Sequence, residues 1–479
     1  MGGGGAVMGR GERLLVVLAP MAAVAAVALG LRIGAGSAVR AAVVVGAPAS
    51  GAGTGLAWQL SAYDEDRGIR EAAVLPDVEV VARSGEREAR WRGPTDEDGT
   101  AEMLLPLPEG PLHLEVRAGK ALLARGDAAI PAGLSRPPPG PAWARFARRE
   151  GALLLDVAVL GQRVGSGFPA SIWVRATDGA THAPVAGVAV TPESDASFAT
   201  ATPTTTTDAR GWAHVVATPM GHAVAMLLHA RAPDGRTGEW DGGLFVSPGA
   251  AQLTADERCA PDRGPVLDVV VPTLRTTAYV EIDDARGRAW AAAVPLAAAG
   301  GAMPHATVRA PRLAPGLYWA VAADDPAGAS QLGPGTVVRP FFVAASDEAA
   351  LAMGLERDEC APRPDPRETP RALSVCLALA GATPVPRWTA LEGFTMQHAR
   401  DSERRQLGLG IGLGAILLAV LLEAALLLRA AVRSRARLRA ASSEEGGAVP
   451  VARAWSVGVG VLVALLGFAL LAAFLARVD

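Results

Sequence analysis

Lysine is almost missing from this chain: Lys120 is the only one among 479 residues. Positive charge rests on arginine instead, and 45 basic against 48 acidic residues leave a formal net charge of −3. A protein that neutralises a phosphate backbone carries a large basic excess, so nucleic acid is excluded as a partner. The arginine, alanine, glycine and proline bias reads as codon usage rather than chemistry. Only three cysteines are present, Cys259, Cys360 and Cys376, enough for one disulfide with one thiol over and without the paired spacing of a zinc site. The seven histidines (His113, His182, His214, His222, His229, His305 and His398) are scattered and form no H-E-x-x-H. There is no G-x-S-x-G nucleophile elbow and no G-x-x-x-x-G-K-[ST] phosphate loop. Acidic pairs such as Asp283-Asp284 and Asp324-Asp325 fall in turns, where carboxylates are solvated and nothing places a second catalytic group opposite them. No enzyme activity, metal or cofactor is expected.

Hydrophobic residues make up 50% of the chain, more than a purely soluble protein of this charge content carries. Three apolar runs account for the excess. Residues 14–31 run without a charge behind Arg10 and Arg13, and 18 residues of helix reach about 27 Å, enough to cross a hydrocarbon core. Two readings compete there, a membrane anchor and a signal peptide cleaved near Ala35-Gly36-Ser37. Residues 407–428 and 455–476 are apolar apart from Glu423. Between them, residues 429–454 carry Arg429, Arg433, Arg435, Arg437, Arg439 and Arg453 against Glu444 and Glu445. The positive-inside rule puts that loop in the cytoplasm; by parity residues 1–13 are cytoplasmic too, and about 38–405 are extracytoplasmic at the inner membrane. The bilayer is the first expected partner. Gly410 and Gly414 have the small-xxx-small spacing that lets helix backbones pack or self-associate. Glu423 is an ionisable group inside a span, read either as a functional residue or as a carboxylate snorkelling toward Arg429.

The exported region has a different grammar. Short Val-rich and Thr-rich stretches alternate with Gly, Pro and Asp turns, which is the pattern of β-sandwiches. Two stretches correspond in order and spacing: Trp58 to Ala62, Pro76 to Val80 and Thr95-Asp96-Glu97-Asp98-Gly99-Thr100-Ala101 match Trp173 to Ala176, Pro184 to Val190 and Thr207-Asp208-Ala209-Arg210-Gly211-Trp212-Ala213. The repeat of about 110 residues is the size of one sandwich domain. In T-D-x-x-G-x-A the Asp caps a tight turn and the Gly takes the positive φ. A calcium loop at Asp96 to Gly99 would need a further acidic ligand before it, and Pro94 and Thr95 do not supply one. Sandwiches are expected over 50–133, 151–250 and 262–345, with a Pro-rich linker at 134–150 around Pro137, Pro138 and Pro139. The third carries Asp284-Ala285-Arg286-Gly287 at a different spacing, so it is a related sandwich rather than a third copy.

At P-V-A-G-V-A-V followed by T-T-D-x-x-G-x-A (184–213), and more weakly at 76–101, the chain resembles the immunoglobulin-like modules of bacterial surface proteins, of the macroglobulin-type or carboxypeptidase-regulatory-like kind. That resemblance implies a fold and not protease trapping, because none of the three cysteines opens the Cys-x-Glu-Gln sequence on which a thioester trap depends.

After Ala345 the helix start Ser346-Asp347-Glu348 announces a short helical stalk, 346–406. Cys360 and Cys376 close a short proline-rich loop and are the pairing taken here; Cys259 with Cys360 is the rival. The fold class expected is mainly β: tandem immunoglobulin-like sandwiches, three transmembrane helices and a helical stalk. The expected function is presentation of these modules for protein or glycan binding in the cell envelope, or as a spacer. The alternative is an accessory subunit of a membrane transport, secretion or signalling complex.

Overall fold

The computed structural model describes residues 39–441 apart from 51–55, 67, 106–110, 129–130, 132–139, 141–142, 145–146, 162, 194–197, 202, 222, 299–301, 327–331, 334, 354–359 and 362–364. Before residue 39 it describes residues 18, 21–30 and 32. The chain falls into two compact units, Arg40–Phe394 and a second made of Met1–Val39 with Thr395–Asp479.

Unit Arg40–Phe394 consists of three sandwiches, each two mainly antiparallel sheets closed over one apolar core. In the first, strands Val39–Pro48, Leu56–Asp66, Ile69–Ala72 and Thr100–Leu105 face a sheet of Val78–Ser84, Arg87–Gly93, Leu112–Ala118 and Ala121–Ala128. It starts before residue 50, and its edge is completed by Trp388–Glu392, which pairs with Val39–Pro48 and lends Ala390 and Leu391 to the core. The second sandwich is built on the buried strands Leu153–Val159, Ala170–Asp178, Trp212–Pro219, Ala223–Arg231 and Thr237–Ser247. In the third, Gln252–Ala255, Val266–Val270 and His305–Arg309 face a sheet that includes Thr277–Asp283, Arg288–Pro295, Gly316–Ala323 and Val337–Val343.

Two segments differ from expectation. Part of the 134–150 linker lies outside the described residues, and Arg148–Gly151 within it is an edge strand on Thr237–Ser247. The region read as a stalk is packed inside the unit. Helix Thr369–Leu379 buries Ala372, Leu373, Val375, Cys376, Leu377, Ala378 and Leu379, and a helix with most of its positions buried is a core element rather than a spacer. It fills the space against Ala158, Leu160, Trp173 and Trp212 of the second sandwich and Phe342 of the third.

The three transmembrane helices expected from hydropathy are corrected here: among the described residues one helix, Gly393–Leu426, is long and apolar enough to cross a membrane. Of the first run, Met21–Gly30 is a shorter apolar helix, and residues 14–17, 19–20 and 31 lie outside the described residues. Residues 455–476 lie outside the described residues. The long helix also continues to Ala441, so the arginines from Arg429 to Arg439 sit on helical backbone rather than in a loop.

Candidate functional site at the module junctions

The repeated turn is atomically the same in the first two sandwiches. Thr95 Oγ1 accepts a hydrogen bond from the Leu75 amide (2.7 Å) and donates to the Ala73 carbonyl (3.1 Å); Thr207 Oγ1 does the same with the Val188 amide (2.9 Å) and the Val185 carbonyl (2.8 Å). Asp96 Oδ1 accepts from the amides of Asp98 and Thr100, and Asp208 Oδ1 from those of Arg210 and Trp212, each at 2.9 Å. Gly99 (φ +67°) and Gly211 (φ +78°) hold left-handed backbone, and a Cβ on either would run into the carbonyl of Ala62 or Ala176. Asp284 caps the third turn through the amides of Arg286 (2.7 Å) and Gly287 (3.0 Å), without the preceding threonine.

Each turn is also a docking point. From the first sandwich, Asp98 Oδ2 accepts from the Tyr279 hydroxyl (2.6 Å) and pairs with Arg275, while Glu97 accepts from the Thr276 amide (3.1 Å) and hydroxyl of the third. In return, Asp284 accepts from the Ser50 hydroxyl, and the Ser50 amide donates to the Arg288 carbonyl (2.8 Å). From the second sandwich, Asp208 lies 2.8 Å from Arg371 of the buried helix, whose guanidinium also donates to the Trp212 carbonyl (2.5 Å). In the acidic turn that invites a calcium reading, Glu97, Asp98 and one oxygen of Asp96 are occupied by protein donors, while Asp96 Oδ2 is buried without a hydrogen-bond partner. Among the described residues no three His, Cys, Asp or Glu converge on a metal position.

These contacts move proton affinities. Hydrogen bonds from Thr276 hold the Glu97 carboxyl below its ordinary range. Burial pushes Asp284 up, but Ser50, Arg286 and the turn amides outweigh it and leave it below its usual value. Burial raises Asp96, and burial followed by the hydrogen bond to Asp98 raises Tyr279 strongly.

Between the first and third sandwiches lies a buried charge network. Arg288 is 2% exposed, Glu281 3%, Glu102 6% and Arg387 9%. Arg288 Nη2 donates to Glu102 Oε2 (2.6 Å) and lies 3.3 Å from Glu281 Oε1, which also pairs with Arg387. Arg387 Nη1 donates to Gln59 Oε1 (2.9 Å), and Gln59 Nε2 donates to Glu102 Oε1 (2.8 Å) and the Pro326 carbonyl (3.1 Å). Strand register sets it up: Gln59 sits opposite Glu102, and Thr277–Asp283 sends Ala278, Val280 and Ile282 into its own core, leaving Tyr279, Glu281 and Asp283 on the opposite face toward the first sandwich. Two arginines against two glutamates balance. Burial holds Glu102 above the usual carboxylate range, with Arg288 pulling it down and Glu281 pushing it up. Each of the two glutamates is paired with an arginine and buried, so the network ties the first and third sandwiches together.

Of the residues singled out in the sequence, Cys360 and Cys376 are joined by a disulfide, 1% and 0% exposed, between the loop and the buried helix. Gly410 and Gly414 have open space where a Cβ would stand; Gly408 and Gly412 instead receive Gly30, whose Cβ position falls 2.5 Å from the Gly408 carbonyl. Ala23 and Val27 are buried on that side of the short helix. Glu423 lies on the long helix with its side chain outside the described ones. His222 lies outside the described residues; His229 pairs with Glu193 (3.1 Å) and Glu239 (3.3 Å). Sequence reasoning missed the network, and also a hydrogen bond between Ser171 Oγ and His214 Nε2 (2.7 Å), which follows from the pairing of Trp173 opposite His214 on adjacent strands.

No protein-family model and no curated protein matches the sequence. Solved structures it is similar to include bacterial macroglobulins and adhesins. A Salmonella alpha-2-macroglobulin is 10% identical over 65% of this chain and 24% of its own, with a TM-score of 0.18. The Escherichia coli adhesin FdeC is 13% identical over 64% and 98%, TM-score 0.17, and invasin, a bacterial integrin-binding protein, 13% identical over 64% and 60%, TM-score 0.15. The chain thus spans about a quarter of the Salmonella protein's length. Likeness at these TM-scores carries no argument; the sandwich fold rests on the strands and cores described above.

Proposed function

We propose that the chain is a non-enzymatic cell-envelope protein, anchored through its apolar helix, whose three interlocked sandwiches serve outside the cytoplasm as a rigid binding platform or spacer. The observation that carries the reading is the locking itself. A buried four-charge network and three turn contacts hold the sandwiches in one register, which suits presenting a surface or holding a distance. Two features support the placement. The disulfide belongs to an oxidising compartment, and the length of Gly393–Leu426, about 51 Å at helical rise, exceeds a hydrocarbon core.

The single lysine makes the placement testable. Lys120 is exposed beside the hairpin turn between Leu112–Ala118 and Ala121–Ala128, so a membrane-impermeant amine reagent applied to intact spheroplasts should label it; protection until lysis would refute an extracytoplasmic unit. Photo-crosslinking on intact membranes, with a probe that does not need lysine, then reads the role. A reproducible protein or glycan neighbour supports the binding platform, and its absence leaves the spacer. Turnover lost on removing one polar side chain would overturn the non-enzymatic reading.

A further inference from the structure

The second and third sandwiches meet at a cleft of about 230 Å³. Gly161, at φ +77°, brings the two backbones together, since a Cβ there would collide with the Val338 carbonyl. The walls mix apolar side chains, Phe168 and Leu253 among them, with a polar lining of Ser171, Gln252, Thr254 and two arginines, Arg163 and Arg339.

The arginines distinguish this cleft from the rest of the protein. Elsewhere at the junctions a withdrawn arginine has a carboxylate: Arg288 has Glu102, Arg387 has Glu281, Arg275 has Asp98 and Arg371 has Asp208. Arg163 donates to a backbone carbonyl, that of Gly333 (2.6 Å). Arg339 has its Nε buried without a hydrogen-bond partner. Glu257 acts on it through space without an ion pair, and its carboxylate accepts a hydrogen bond from the Ser374 hydroxyl (2.6 Å). Burial lowers the proton affinity of both guanidiniums, yet arginine stays charged at any physiological pH. Two partly withdrawn cations line one cleft, and neither forms an ion pair with a carboxylate among the described residues, so part of their desolvation is left uncompensated. Guanidinium forks match the planar or tetrahedral array of oxygens on a carboxylate or phosphate.

We infer that this cleft binds a small molecule through its carboxylate or phosphate group, with Arg339 and Arg163 as the anion ligands and the apolar wall taking the rest of the compound. A cleft of this volume sits below the usual range for drug-sized ligands, about 300–1,000 Å³, so the compound is small. The inference does not depend on the envelope role.

The test is isothermal titration of the full-length protein in detergent and Tris chloride with inorganic phosphate and, separately, succinate. Saturable binding of one molecule per chain is expected for at least one, and the better of the two distinguishes phosphate from carboxylate. Arg339→Gln should weaken it about tenfold or more. Arg339→Lys, which keeps the charge but not the fork, should fall between; Arg90→Gln, on the far sheet of the first sandwich, should change nothing. The inference is overturned if neither anion binds saturably up to about 10 mM, or if Arg339→Gln binds as the unaltered protein does. Should Arg339→Gln fail to fold, the unaltered titration and Arg339→Lys still decide it: equal binding by Arg339→Lys and by a folded Arg163→Gln variant excludes both ligands.

Discussion

Replacing Arg288 with methionine tests the lock directly. The side chain is 2% exposed and donates to Glu102, itself 6% exposed. Methionine fills similar volume, so the change removes charge more than packing. Glu281 keeps Arg387, but Glu102 is left with Gln59 alone. Breaking a buried pair by removing one partner destabilises by about 3–5 kcal/mol, against a typical total of about 5–15 kcal/mol. Urea unfolding of the full chain in detergent, followed by tryptophan fluorescence, reads the loss. Its pH dependence is the sharper signature. With Arg288 gone, the folded Glu102 pKa rises further above the unfolded value. The folded state then holds a proton that the unfolded state releases above about pH 4, and stability falls as pH rises toward the folded pKa. The deficit should therefore shrink between pH 7 and pH 5, by at most about 1.4 kcal/mol per pH unit. The double variant Arg288→Met/Glu102→Met should be less damaged than Arg288→Met, because no unpaired charge stays buried. A loss below about 1 kcal/mol that does not vary with pH would refute the reasoning.

Leu377→Ala empties a fully buried position on the helix between the second and third sandwiches; a loss of about 2–5 kcal/mol is expected in the same urea assay, and a loss under 1 kcal/mol would mean the helix is peripheral. The paired substitution Cys360→Ala/Cys376→Ala opens a loop of sequence separation 16; about 3 kcal/mol should be lost, and unchanged unfolding would show that the bond does not constrain the chain. Acid should loosen the turn contacts. Glu97 and Asp284 have folded pKa values below their ordinary ones, so their contribution is present above the normal carboxylate range and is lost as pH falls through the folded values. Hydrogen exchange at the Thr276 amide, which donates to Glu97, should lose protection below about pH 4 after correction for intrinsic rate, and constant protection down to pH 3 would contradict this.

The β grammar was legible because alternation and turn chemistry are local. Thr277–Asp283 reads as a strand from its own seven residues, and the repeat around Thr95 and Thr207 is visible because a capped turn with a left-handed glycine admits few residue types. What covers a strand's polar face is not local. Tyr279, Glu281 and Asp283 look like a solvated edge until residues more than a hundred positions away arrive, Asp98 and Glu102 on one side and Arg387 on the other. For the membrane count, much of 14–31 and all of 455–476 lie outside the described residues, and among the described ones only Gly393–Leu426 is long and apolar enough to cross a membrane. The stalk was misread because Leu373, Val375, Leu377 and Leu379 mark a helix without marking which module claims it.

The repeated turn separates two roles that share one motif. Thr, Asp Oδ1 and Gly are consumed by the turn itself in both of the first two sandwiches, through matching hydrogen bonds. Docking falls to what the turn leaves over. In the first sandwich the variable pair Glu97 and Asp98 reaches the third module; in the second those positions are Ala209 and Arg210, and the free oxygen of Asp208 takes Arg371 instead. The two copies thus share a hairpin and differ in what it contacts. That division explains why motif reading recovers the fold of each copy but not its partner: the partner is written in the positions the motif leaves blank.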